Sequence, residues 1–124
     1  MTIDKINGEL TLGFWVSLFN ADYEKRLWKD LRRAFPRMPK NIRQRKNIAG
    51  PLNTIHALRN RVFHNEAISW SLVRLTELHD EIIEVIGWMN PEIPFWMTRV
   101  DRFNKVSRRV QFQWYGFFRS LFKR

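Results

Sequence analysis

Apolar residues in this chain recur at intervals of three and four, with no run of strict alternation. Leu75, Leu78, Ile82, Ile86 and Met89 set the pattern over residues 70–89. Side chains on a helix advance by about 100° per residue, so this series lines one face, whereas a half-buried strand needs a period of two. The same spacing places Leu12, Trp15, Val16 and Phe19 together and continues through Tyr23, Leu27, Leu31 and Ala34. Pro36 and Pro39 end that run, because proline cannot extend a helix. A further helix is predicted over 41–64, with Ile48, Leu52, Ile55 and Val62 on its core face and a kink at Gly50-Pro51. "HNEAIS" reads as a turn, "NPEIP" breaks the helix over 70–89, and a last helix is expected from residue 95 or 96. The expectation is an all-α protein, a compact bundle of about four to five helices.

At 124 residues, 44% of them hydrophobic, the chain suits one domain with one core. We read residues 1–124 as that domain, with a flexible start at 1–9 and a basic aromatic helix over 108–124. Leading into and along the latter, Val106, Val110, Trp114, Phe117 and Leu121 repeat at helical spacing, which predicts packing on the bundle or on a partner. The absence of cysteine excludes disulfides and thiolate metal sites and suits a reducing cytoplasm. The opening "MTIDKINGEL" is no signal peptide, and no stretch approaches the roughly 18 uncharged apolar residues of a membrane span.

The net charge of +10 is unevenly placed. Residues 25–46 hold ten bases against Asp30, and residues 95–124 hold eight against Asp101. Two basic segments thus flank a mildly acidic middle, the pattern of a polyanion-binding surface. Arg43, Arg45, Lys46 and Arg61 are candidate nucleic-acid contacts. Glu77, Glu81 and Glu84 fall on the outer side of their helix and read as solvated surface, so no metal site is expected.

One stretch breaks its own pattern. On the helix over 41–64, Arg59 falls inside the apolar stripe, where a charge is unfavourable unless paired or facing a wet cleft or an interface. Beside the stripe, His56, Asn60 and His64 form a ridge at four-residue spacing, with Asn53 close by and Asn60 within reach of His64. An arginine followed by a histidine is common by chance, and Arg74 with His79 is a second instance. Only the first has an adjacent amide and a histidine closing the helix.

These residues carry a resemblance. "RNRVFH" is similar to the R-N-x-x-x-H signature of HEPN-domain ribonucleases. More narrowly, "LTLGFWVSLF", the Tyr23, Leu27 and Trp28 pattern, "IHALRNRVFHNEAI" and "IGWMNP" resemble the Abi-like abortive-infection proteins, over about residues 10–94. Phe63 departs from the small residue that often precedes the histidine. The chain also begins close to "GFW", as a compact member or a fragment would.

The resemblance implies a HEPN-like bundle and metal-independent RNA cleavage, with no cofactor. Arg59, Asn60 and His64 would be the catalytic group of a toxin or phage-defence effector, restrained by an antitoxin or regulatory protein. An imidazole can carry a proton near neutral pH, and a guanidinium can hold a phosphate with its fork of donors. Because Arg59 and His64 diverge by about 140° on a regular helix, and each motif supplies one histidine, a two-fold homodimer is expected to assemble the site. The alternative is a non-catalytic basic helical module that binds RNA or protein and carries a decayed motif.

Overall fold

The computed structural model describes residues 2–5, 10–68 and 71–121, with backbone alone at 114, 115 and 118. Among them there is helix and turn and no strand. A helical turn at residues 3–5 (α1) is followed by α2 (Leu12–Ser17), α3 (Glu24–Leu31), α4 (Arg45–Phe63), α5 (Leu72–Met89), α6 (Glu92–Met97) and α7 (Phe103–Leu121). Turns of 3₁₀ helix at Ala21–Tyr23 and Arg32–Ala34 flank α3. The all-α expectation is therefore met. The predicted flexible start lies partly outside the described residues, as do Ser69 of the predicted turn and the last three residues of the basic tail.

Local chemistry explains most of the boundaries. The Thr11 hydroxyl accepts from the Phe14 N–H at 3.2 Å, and the Ser71 hydroxyl accepts from the Arg74 N–H at 3.3 Å, capping α2 and α5. The last helix starts later than expected. Pro91 stands just before the six-residue α6, and a turn at 98–100 separates it from α7, which begins after Asp101 and Arg102. Asp101 caps α7 by accepting from the Phe103 N–H at 2.9 Å.

The core centres on the first half of α4. Ile48 is fully buried, packed with Phe19, Phe35, Met38, Ala49 and Val85, and Trp28, Leu31, Leu52 and Trp88 close around this group. Two of its most buried members, Phe35 and Met38, come from the proline-rich connection after α3. That segment does more than stop a helix: it folds back as a plug. Arg37 donates its backbone N–H to the Trp88 carbonyl at 3.0 Å, tying the plug to the end of α5. Arg43 fastens it to the start of α4, donating from Nε to the Met38 carbonyl at 3.1 Å and from Nη2 to the Pro36 carbonyl at 3.1 Å.

Gly50-Pro51 lies within α4, which runs on through it. Pro51 has no N–H to donate to Asn47. The Thr54 hydroxyl donates to the Gly50 carbonyl at 3.1 Å, one local bond beside the interruption.

α7 meets α5 at an aromatic–acid junction near its start. The His79 ring stacks on Phe103 at 4.3 Å and 11°, with Nε2 2.5 Å from Asp101 Oδ2 and Nδ1 3.3 Å from Asp80 Oδ1. Beyond it, Val106 and Val110 face an apolar cavity against α5 and the end of α4. Farther along, Phe112 and Phe117 are mostly exposed, at 78% and 58%. Of the expected stripe, Val106 and Val110 meet the bundle. Trp114 of the predicted stripe lies outside the described side chains.

The Phe103 N–H, and after it the His79 ring, hold the Asp101 carboxyl below its ordinary value of 3.8. The unfolded chain therefore binds this proton more readily, and the linkage has a definite sign. Asp101 supports the fold above that value and loses its contribution as pH falls through 3.8 toward the lower folded value. Asp101→Asn should lower Tm by a few degrees at neutral pH, with the gap from wild type narrowing below about pH 4. Thermal melts across that range check it; a gap that stays constant with pH would show that the carboxyl charge is immaterial.

Candidate functional site

The second half of α4 leaves the core. Ile48 and Ala49 are buried, Leu52, Ile55 and Leu58 are half-buried, and Val62 and Phe63 are exposed at 53% and 69%. Arg59 is exposed as well. The helical wheel places Arg59 at the angle of Ile48, but the plug and the end of α5 cover only the first turns, so no charge is buried there. Burial of this charge consequently gives no reason for a dimer. The angular divergence between Arg59 and His64 remains.

The residues around Arg59 form a connected series. Arg59 donates from Nη1 to Asn60 Oδ1 at 3.2 Å, and Asn60 Nδ2 lies 3.2 Å from His56 Nε2. A guanidinium only donates, so Asn60 must turn its oxygen to Arg59 and its N–H to the ring. His56 Nε2 is thereby an acceptor, which puts the ring proton on Nδ1. The expected Asn60–His64 pairing is replaced by this Asn60–His56 bond one turn earlier. Arg59 also lies over the Phe63 ring at 5.1 Å, and Phe63 meets His64 edge-on at 5.5 Å. Phe63 thus stands between the two candidate catalytic side chains and touches both.

α2 approaches the same nitrogen of His56. A Cβ placed on Gly13 would come within 3.1 Å of its Nε2. The glycine of "GFW" thereby lets α2 lie close against the imidazole. Periodicity alone does not reveal this role; two motifs far apart in sequence meet at one ring.

His64 is placed by a helix cap. Its backbone has left the helix (φ −88°, ψ 12°), and Asn65 adopts the left-handed conformation with φ 55°. Asn65 N–H donates to the Val62 carbonyl at 3.1 Å and Glu66 N–H to the Arg61 carbonyl at 2.9 Å. These paired bonds make a Schellman closure, with asparagine where glycine is commonest. "HNE" is thus a stop with defined geometry, and the imidazole sits exposed at its edge.

Neither Arg59 nor His64 borders the two recesses that flank this end of α4. A recess of about 290 Å³ between α4 and α5 is bordered by Arg61 and Arg74. An apolar cavity of about 370 Å³ lies beyond Leu58 and Val62, against Leu72, Leu75 and Val106. Arg61 is exposed, with Glu66 Oε2 3.8 Å from its Nε. The second Arg–His pair is structurally engaged, Arg74 with Glu77 at 3.1 Å and His79 with Asp101. Among the described residues, no three His, Cys, Asp or Glu side chains gather as metal ligands would.

The other predicted RNA contacts stand elsewhere. Arg43 is committed to the plug carbonyls, and Arg45 to the Phe19 carbonyl at 2.9 Å and Glu24 Oε2 at 3.1 Å. Only Lys46 of the three is exposed. All three lie near the opposite end of a 19-residue helix from His64. At about 1.5 Å per residue that is roughly 27 Å.

No family model, curated protein or solved structure matches the chain.

The cap that places His64 is open to test. Asn65→Gly should leave stability unchanged or slightly higher, whereas Asn65→Val should cost about 1–2 kcal/mol, because a β-branched side chain opposes positive φ. Chemical denaturation measures both. Equal stability of the two variants would remove the left-handed cap from the account.

Proposed function

We propose that the chain is a metal-independent endoribonuclease of the HEPN, Abi-like kind, acting as a toxin or phage-defence effector. The observation that carries this reading is the contact series His56–Asn60–Arg59–Phe63–His64 on the open end of α4. It sets an oriented guanidinium and an exposed imidazole on either side of one aromatic ring.

In the proposed reaction the ribose 2′-oxygen attacks the adjacent phosphorus and the bond to the 5′-oxygen breaks. The products are a 2′,3′-cyclic phosphate and a 5′-hydroxyl, with the 2′-OH proton removed and another delivered to the leaving oxygen. His64 performs one of these transfers. Arg59 gives one donor to Asn60, and its further N–H groups are available to the phosphate oxygens on which charge develops. Asn60 positions Arg59 rather than touching His64. DNA, lacking the 2′-OH, is inert.

Two transfers need an acid and a base, and each chain offers one His64. A two-fold homodimer with facing α4 ends supplies both, and joins an Arg59 to a His64 that diverges from it on its own helix. A cytoplasmic setting and a restraining antitoxin or regulatory protein complete the proposal. No helix among the described residues is long and apolar enough to cross a membrane.

The exposure of both Arg59 and His64 favours one alternative, a basic helical module that binds RNA or protein without cleaving it. Incubation with structured RNA in EDTA separates the two. Wild type should cleave; His64→Ala and Arg59→Lys should each lose about a hundredfold or more, the latter because a point charge cannot replace the fork. Arg74→Ala should be nearly unaffected. RNA binding without cleavage, unaltered by His64→Ala, would establish the module instead.

The dimer has its own measurement. Sedimentation should show a two-chain species at micromolar concentration. A monomer whose cleavage rate is linear in protein concentration would refute the shared site.

A further inference from the structure

The cations nearest Arg43 form a feature separate from the Arg59–His64 end. Arg32, Arg33, Lys40 and Arg43 surround a recess of about 590 Å³ beside Pro36, with no acidic residue in its wall. Arg43 is held by the plug carbonyls and fixes one side. Arg32, Arg33 and Lys40 are exposed and engaged in no ion pair or side-chain hydrogen bond. Lys25, Arg26 and Lys29, exposed on α3, extend the same charge.

We infer that this recess is a phosphate-binding subsite for single-stranded RNA that also reaches the Arg59–His64 end of α4. The inference rests on the ribonuclease reading for that second end. Between the two runs exposed α4 surface: Lys46, Asn53, Ala57 and Arg61 fall within about 80° of arc on the wheel, and all are exposed. This track leads from the recess to His64. From Lys46, three residues past Arg43, to His64 it runs roughly 27 Å, about eight steps of a stacked strand at ~3.4 Å each, fewer if the strand is extended. Phosphates held at the recess therefore fix a strand whose reactive bond lies several nucleotides away. Short oligonucleotides reach one end only.

The surroundings favour nucleic acid over an anionic membrane. Residues 24–44 contribute no exposed large apolar side chain, whereas a helix lying in a bilayer surface buries an apolar face. Aromatic insertion is equally absent from this patch, so contact is through phosphates.

The test uses anisotropy with labelled, non-cleavable 2′-O-methyl RNA of about six and about twenty nucleotides, lengths on either side of the ~27 Å span. The longer probe should bind more tightly. The triple variant Arg32→Ala, Arg33→Ala, Lys40→Ala, made at exposed positions, should bind it about tenfold or more weakly. Its slope of log K against log salt should fall in magnitude by about two, at ~0.7 per lost contact. On cleavable RNA, wild type should prefer the longer substrate and the variant should lose that preference. Unchanged binding by the triple variant, or equal affinity for both lengths, would overturn the inference. Vesicle flotation that depends on these cations, with no RNA binding, would overturn it equally. Recess-dependent binding without cleavage of any RNA would uphold the subsite and sink the ribonuclease reading alone.

Discussion

Everything in this fold leans on the burial of Ile48. It sits at zero exposure in the second turn of α4, beneath Phe35 and Met38 from the plug and beside Phe19 and Val85. The segments bearing Phe19, Phe35 and Met38 are short or irregular, and none would persist without the longer α4 and α5, since isolated helices under about a dozen residues are marginal in water. Arg43 and Arg45 complete the arrangement. Their donors reach carbonyls of the plug and of the segment after α2, linking charged side chains to backbone that would otherwise need water.

That concentration of packing at one end divides α4 into two regimes. The first half is a structural axle and the second half a partly covered arm, with Arg59 and His64 exposed and Asn60 half-buried. Its order there comes from local bonds: the Asn60–His56 contact, the proximity of Gly13, and the Schellman closure at Asn65. Such a region can change its side chains without disturbing the core, a separation suited to a site whose chemistry is set by a few exposed groups.

The helices of this chain are legible in its sequence because their apolar spacing is a direct image of burial. Leu75, Leu78 and Ile82 report a face, and α5 is found there. The extent of the core is less legible. Val62 continues the period of Ile48, Leu52 and Ile55, yet it is half exposed, because periodicity gives an angle and not the length of the cover. For the same reason Arg59 looks misplaced in the sequence and is ordinary in the structure. The roles of Phe35 and Met38 are hidden by their prolines, which suggest an exposed connection, although two large apolar residues in so basic a stretch are a usable signal. Arg43 and Arg45 show the limit for charge: composition marks a basic segment, but which of its cations are committed to carbonyls depends on chain reversal.

α7 has a mechanical consequence of its own. Its described attachments lie toward the start, through Phe103 on His79, the Asp101 cap and the first apolar turns, while α7 continues for about 17 Å past Val110. The plane shared by the His79 and Phe103 rings, fixed on either side by Asp80 and Asp101, therefore sets the direction in which α7 leaves α5. Because α5 lies along α4, that one junction also orients the last helix against the axis of the bundle.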